Sequence, residues 1–302
     1  KTNMYRRRWY ANNCLLRPEY PSYEGDKLYN IYYHMFTELL KDKKVKDCEF
    51  FLNIRDFPLL RKSAGETRLH PYDSLFRQQG GETPLHKQTL DKEFWGEHSP
   101  IFGYATHTDF DDVAIPTPDD WMIATKLVFP YKCSDQYSTF DQLKIPAWRN
   151  KKPKATFYGS ATGCGTDIKS NMRLKAASLT KQYPDLLDVY ITDWNARIKV
   201  NTDSKQIFKK VKSVELPFAL ANTKQSLQEK SEYKYILHLD GHVSANRLLS
   251  ELGLGSVLLY SGNTGYTMWT SAMLEKGKHY VHIKPDLSDL VSQIESLNKN
   301  NA

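Results

Sequence analysis

Apolar residues in this chain fall into short runs set between polar or glycine-bearing stretches. Cys48–Ile54 (CEFFLNI), Ile101–Ala105, Ala155–Tyr158, Asp188–Thr192, Tyr233–Leu239, Ser256–Tyr260 and His279–Ile283 each read as a buried strand. Helical spacing marks Leu28–Leu40, Ile168–Gln182 (with Leu174 and Leu179 on its apolar face), Val243–Leu252 and Leu287–Leu297. Gly253 and Gly255 stop the third of these helices, and Asp286 or Ser288 is placed to cap the last. Residues 61–99 are polar, carry Gly80-Gly81 and read as a loop-rich excursion with one short helix. The proline-bearing stretch Ile115–Trp121 reads as a loop, and Lys151-Lys152-Pro153 as a linker.

From about residue 150 strand, loop and helix alternate to the end of the chain. That pattern predicts a doubly wound α/β domain with a parallel sheet. The first half shows the same alternation more weakly, so the fold expected is α/β with two Rossmann-like lobes and a cleft between them. The boundaries read as 1–148 for the N-terminal lobe, 149–285 for the C-terminal lobe, and 286–302 for a terminal helix packing back on the N-terminal lobe. Ligands of such sheets sit beyond the carboxyl ends of the strands, where backbone amides and helix N-termini face outward.

Composition narrows the class. The chain has 302 residues, 40% hydrophobic and 25% charged, which is ordinary for a globular protein with a sizeable core. A mean hydropathy of -0.60 and apolar runs no longer than stretches such as Val257–Tyr260 exclude a membrane span, which needs ~20 apolar residues. The net charge of +7 suits an anionic partner: nucleic acid, nucleotide or phosphate. Cys14, Cys48, Cys133 and Cys164 form no CxxC pair, which argues against a thiolate zinc site and leaves their disulfide state open. The chain begins at Lys1, consistent with a trimmed N-terminus; no signal peptide is visible, and a removed one would leave no trace.

Four segments hold candidate chemistry. In Asn53-Ile54-Arg55-Asp56-Phe57-Pro58 a charged pair follows an apolar strand; Asp56 is read either as a base for a hydroxyl or as a cap or partner of Arg55. In Phe157–Gly165 three glycines at a strand-to-helix junction let amides approach a phosphate, with Ser160 and Thr162 adding hydroxyls; the alternative is a plain turn. In Asp240–Arg247 a strand ends in Asp-Gly and a helix follows; Ser244 lies at its positive end and Arg247, one turn in, is read either as a clamp for a diphosphate or as a surface arginine on a capped helix. Thr108-Asp109-Phe110-Asp111-Asp112 has an Asp-x-Asp metal pattern but reads first as a solvated loop. HExxH and GxSxG are missing, which disfavours a zinc hydrolase and an α/β-hydrolase.

Taken in order, CEFFLNIRDFP, SPIFGYATHTDFDDVAIPTPDDW, KKPKATFYGSATGCGTDIKSNMRL, YKYILHLDGHVSANRLLSELGLGSVLL and HYVHIKPDLSDL resemble glycosyltransferase family 90, the CAP and Rumi-type protein O-glucosyltransferases and xylosyltransferases. The resemblance spans roughly residues 48 to 290 and is to a divergent microbial or viral member. It implies a GT-B-like fold, with an acceptor-side N-terminal lobe and a UDP-sugar-binding C-terminal lobe. It also implies inverting, metal-independent transfer of xylose or glucose from a UDP-sugar to a hydroxyl of a glycan or glycoprotein. By this resemblance Asp56 is the base, and Gly159, Ser160, Thr162, Gly163, Arg173, Ser244 and Arg247 are donor contacts. Asp109, Asp111, Asp120 and Trp121 are weaker candidates for acceptor or sugar. Where animal members carry Arg-Gly-Ser-Arg-Thr, this chain has Tyr158-Gly159-Ser160-Ala161-Thr162 and lacks both arginines. No cofactor, metal, nucleic-acid partner or membrane span is expected, and a cytoplasmic location is read in preference to a secretory lumen. The rival readings are a catalytically inactive glycan- or nucleic-acid-binding protein on the same fold, and a metal-dependent transferase using Asp109 and Asp111.

Overall fold

The computed structural model describes residues 9–11, 14–16, 26–46, 50–54, 58, 101–125, 142–163, 167–194, 197–199, 208–210, 218, 220–262 and 265–300. The chain forms two compact units, Lys1–Ser138 and Thr139–Ala302. The break falls before the expected boundary at 148 because residues 142–150 belong with the second unit. Leu143 packs on that unit's core, and the backbone of Lys144 exchanges hydrogen bonds with the Gln228 side chain.

In the first unit β1 (Trp9–Ala11) and β2 (Cys14–Leu16) form an antiparallel pair, followed by helix α1 (Asp26–Asp42). Strands β3 (Phe51–Leu52), β4 (Ile101–Gly103) and, after the short β5 (Thr106–His107), β6 (Val113–Ala114) form a parallel sheet in the order β3-β4-β6. The strand expected over Cys48–Ile54 is therefore shorter, though the Asn53 amide still donates to the Phe102 carbonyl at 2.7 Å. Tyr32 and Met35 of α1 meet Tyr104 in this unit's core, with Phe36, Leu52, Ile115 and Trp121 around them.

The loop expected over Ile115–Trp121 is corrected in its second half: Pro118–Thr125 is a helix, α2. Thr117 Oγ1 accepts from the Asp120 amide at 3.2 Å, and Asp120 Oδ2 accepts from the Thr117 amide at 2.9 Å. This reciprocal capping satisfies two orphan donors at once. Pro118 takes the first helical position, where its missing N–H costs nothing and its fixed φ is already helical.

The second unit is built on β7 (Lys152–Ser160), β8 (Leu187–Asp193), β11 (Tyr233–Leu239), β12 (Val257–Ser261) and β14 (Val281–His282), all parallel. Its remaining strands are the antiparallel pair β9 (Arg197–Lys199) and β10 (Phe208–Lys210), and the short β13 (Tyr266–Thr267). The helices are α3 (Met172–Thr180), α4 (Leu227–Ser231), α5 (Leu248–Leu252) and α6 (Leu290–Lys299). The sheet order is β8-β7-β11-β12-β14, which in chain order reads 2-1-3-4-5. This is a Rossmann-like doubly wound arrangement whose switch point lies between β7 and β11.

Strand parity divides the sheet into two layers. Phe157, Val189, Tyr235, Leu237, Leu239 and Leu259 face α3 and α6, while Ile236 and Leu258 face the side of Leu227, Leu248 and Leu254. Burying each such Leu or Ile contributes roughly 1.5–3 kcal/mol. The last helix, expected to pack on the N-terminal lobe, packs on the sheet of its own unit. Leu290 and Ile294 are buried in the first layer, and Asn298 bonds the Tyr235 hydroxyl and the Pro153 carbonyl. Its capping also differs: Asp289 is the N-cap residue, and the Asp286 carboxylate accepts from the Ser288 amide instead.

The supposed linker is core. Lys152 and Pro153 open β7, and Lys151 is only 4% exposed. Its ammonium donates to the carbonyls of Ser231 (2.6 Å) and Leu254 (2.8 Å) and to Ser256 Oγ (2.9 Å), which ties α4, the turn after α5 and the start of β12 together. Burial lowers the pKa of this amine. Lys151→Met keeps the bulk and orphans three acceptors, so urea titration should show a loss of about 2–4 kcal/mol, far more than a solvated linker lysine would give.

Candidate functional site

The carboxyl ends of β7 and β11 flank the switch point, and each runs into one of the loops singled out by sequence. After Ser160 come Ala161, Thr162 and Gly163; after Leu239 come Asp240, Gly241 and His242. The two loops touch. The Gly163 amide donates to His242 Nδ1 at 3.3 Å. Gly163 has φ +125°, and a side chain there would meet the Gly241 carbonyl. A Cβ on Gly241 would lie 3.2 Å from Thr162 Oγ1 and 3.4 Å from an Arg173 nitrogen. The positive φ favours glycine at 163, and the close approach of Thr162 and Arg173 favours it at 241.

Arg173 joins the loops. It sits in the first turn of α3, whose N-cap Asn171 accepts from the amides of Arg173 and Leu174. Its guanidinium donates through Nε to the Asp240 carbonyl (2.9 Å) and through Nη2 to the Leu239 carbonyl (2.9 Å). Nη1 reaches the Ser160 carbonyl (3.0 Å) and Thr162 Oγ1 (2.5 Å). With 5% exposure and four of its five N–H groups engaged, Arg173 is a clamp between loops rather than a ready phosphate ligand. Burial, reinforced by the nearby Arg247 charge, lowers its pKa to about 9, against Asp240 and Glu251, which raise it.

Arg247 is the outward guanidinium of the pair, with 23% of its side chain exposed. It donates through Nε to Glu251 Oε1 (2.8 Å) and through Nη2 to the Leu239 carbonyl (2.8 Å), the acceptor it shares with Arg173. Both guanidiniums lie over the Phe157 ring, 5.2 Å and 5.1 Å from its centroid. The helix expected from Val243 begins only at Leu248, so Arg247 is its N-cap residue and Ser244 lies in the preceding loop, not at a helix end. Val243 and Ala245 are apolar because that loop is buried.

Below Arg247 lies a charged cluster that the sequence reading missed. Glu251, 1% exposed, accepts from Lys230 Nζ at 2.9 Å and meets His238 Nδ1 at 2.6 Å, besides binding Arg247. A carboxylate only accepts, so the Nδ1 proton is assigned to His238. Burial pushes the Glu251 carboxyl up, but Lys230, Arg247 and His238 outweigh it and hold the group well below the ordinary carboxylate range. Burial lowers the His238 pKa, against the hydrogen bond and charge of Glu251. The sequence signal was faint: His238 is a polar interruption in an apolar strand, paired with an acid on the following helix.

The other expected site residues are placed as follows. Gly159 and Ser160 are the last residues of β7, not loop. Cys164, Gly165 and the proposed base Asp56 lie outside the described residues. Asp109 is exposed, 3.7 Å from His107 Nδ1, and Asp111 is exposed nearby. Asp120 is buried as the α2 capping partner, and the Trp121 indole donates to His34 Nδ1 at 3.1 Å. Among the described residues no group of three His, Cys, Asp or Glu side chains is arranged to hold a metal, and no helix is long and apolar enough to cross a membrane.

Two outcomes test this geometry. Arg173→Lys offers one ammonium for four acceptors, so denaturant unfolding should show a loss of about 2–4 kcal/mol despite the kept charge. The second concerns pH. The fold keeps His238 neutral while the unfolded chain takes up its proton near pH 6.5, so stability falls as the solution is acidified through that value. Urea midpoints at pH 7.5 and 5.5 should differ less in His238→Gln than in the wild type. Glu251 acts in a lower window: its stabilisation is complete above its ordinary range near 4.5 and fades only below it.

Comparison with known proteins follows the same lines. Residues 75–302 match the profile of glycosyl transferase family 90, a span that begins after Asp56. The chain is 39% identical over 98% of its length to Uncharacterized protein 035R of Invertebrate iridescent virus 3, and 34% identical over 98% to Uncharacterized protein 179R of Invertebrate iridescent virus 6. It is 26% identical over 96% of its length to human Protein O-glucosyltransferase 3. It spans only 26% and 27% of the two viral proteins and 46% of the human one. With most of its length matched, including both loops at the switch point and the helices that carry Arg173 and Arg247, the chain belongs to glycosyl transferase family 90.

Proposed function

We propose that this protein is an inverting glycosyltransferase that moves glucose or xylose from a UDP-sugar to a hydroxyl of a glycan or glycoprotein. The observation that carries the reading is the pair of loops at the switch point, locked together by Arg173 beside an outward Arg247, in a member of this family. The human relative's name supports glucose as one donor sugar.

In this reading the C-terminal unit holds the donor and the N-terminal unit supplies the base, a GT-B-like division of labour. Arg247 and the hydroxyls of Ser160, Thr162 and Ser244 face the diphosphate, and the bare Gly163 and Gly241 backbone lets it approach. The acceptor oxygen attacks C1 from the side opposite UDP and its proton passes to the Asp56 carboxylate. The C1–O bond to the diphosphate breaks, and UDP leaves with the electron pair, its charge met by Arg247. The charge on UDP is thus met without a metal. Arg173 acts at one remove, holding the two loops at their working separation.

Release of UDP from UDP-glucose and UDP-xylose, measured with a glycan panel, tests the activity. Asp56→Asn should lower turnover at least ~100-fold while calorimetry finds UDP binding nearly unchanged. Turnover that survives this substitution would remove Asp56 as the base. Activity lost in chelator and restored by a divalent cation would favour the metal-dependent alternative through Asp109 and Asp111.

A further inference from the structure

Glu251 is held on three sides. Lys230 from α4 and His238 from β11 grip it from within the protein, and Arg247 binds it toward the carboxyl edge of the sheet. Exposure follows the same gradient, 1% for the Glu251 side chain and 23% for that of Arg247. Resting on the reading of Arg247 as a diphosphate contact, we propose that Glu251 is a positioning residue that, anchored by Lys230 and His238, presents the outer edge of the Arg247 guanidinium to the donor diphosphate.

Three observations lead there. First, a planar guanidinium pinned at two donors has lost its freedom to turn. Nε is fixed on Glu251, Nη2 on the Leu239 carbonyl, and the plane lies over Phe157, so the direction of Nη1 is set before any ligand arrives. Second, a carboxylate bound only to Arg247 could follow it outward. Lys230 takes a second bond on Oε1 and His238 occupies Oε2, so the carboxylate stays in place. Third, Arg173 and Arg247 share the Leu239 carbonyl although both are cationic. Lys230, Arg173 and Arg247 stand against the carboxylates of Glu251 and Asp240, three cations against two, with His238 neutral. The cluster lacks one negative charge, which a diphosphate would supply. Without Glu251, repulsion from Arg173 would drive Arg247 out of this pose.

The test measures UDP affinity by calorimetry, and KM and kcat for UDP-glucose, in the wild type, Arg247→Ala, Glu251→Gln and the double variant, with folding checked by circular dichroism and thermal melting. Arg247→Ala and Glu251→Gln should each weaken UDP binding about tenfold, the size of one charged hydrogen bond. The double variant should bind no more weakly than either single one, because both remove the same contact. If folded Glu251→Gln binds UDP like the wild type, or if the two losses multiply, Glu251 does not act through Arg247 and the proposal is overturned while the donor site stands. If Arg247→Ala itself binds UDP normally, the donor reading of Arg247 fails and the proposal goes with it. Should Glu251→Gln not fold, Arg247→Lys decides. A lysine cannot hold Glu251 and the Leu239 carbonyl and still present a third donor, so it should bind no better than Arg247→Ala. Wild-type affinity in Arg247→Lys would overturn the proposal.

Discussion

The carboxyl ends of two parallel strands leave backbone carbonyls facing a crevice, where they need partners once water is excluded. The Arg173 guanidinium supplies them for Ser160, Leu239 and Asp240 together, and adds the Thr162 hydroxyl. The rest of the site depends on this clamp. It sets the distance between the loops, and that distance favours glycine at 241. A single buried cation with fork geometry does what a set of separate side chains would do less rigidly, and it leaves the second arginine, Arg247, as the more exposed of the two.

Charge in the C-terminal unit is layered. One face of the sheet is packed with aliphatic and aromatic side chains under α3 and α6, while the other carries His238, Glu251 and Lys230 next to its smaller apolar cluster. Buried ions of this kind contribute little net stability compared with apolar residues of the same size, because desolvation offsets most of the attraction. What they do supply is geometry: they fix one orientation of the Arg247 guanidinium, a task a hydrophobic cluster cannot perform.

Much of this could be read from the chain alone. Tyr233–Leu239 was legible to the residue because a strand covered on both faces is a continuous apolar run, and the alternation around it disclosed the parallel sheet. The glycine at 163 and the Asp240-Gly241 pair marked the loops that follow β7 and β11. What could not be read depended on distance along the chain or on context. Lys151 resembles a solvated linker because its acceptors lie 80 to 105 positions away. Arg173 resembles a ligand because its partners at the end of β11 and just beyond it are 66 and 67 residues distant. The apolar spacing of Val243 and Ala245 mimics a helix, since a buried loop needs the same residue types. The helix at Pro118 is a different matter: Thr117 and Asp120 spell a capping pair in the sequence, and the proline was taken for a breaker when it stood at the one helical position that welcomes it.

The alternation of side chains along β11 has an evolutionary corollary. Odd-numbered residues from Tyr235 to Leu239 belong to the packed layer and His238 to the ionic one, within a single seven-residue strand. Substitutions that alter the packing and substitutions that alter the ion cluster therefore fall on separate codons.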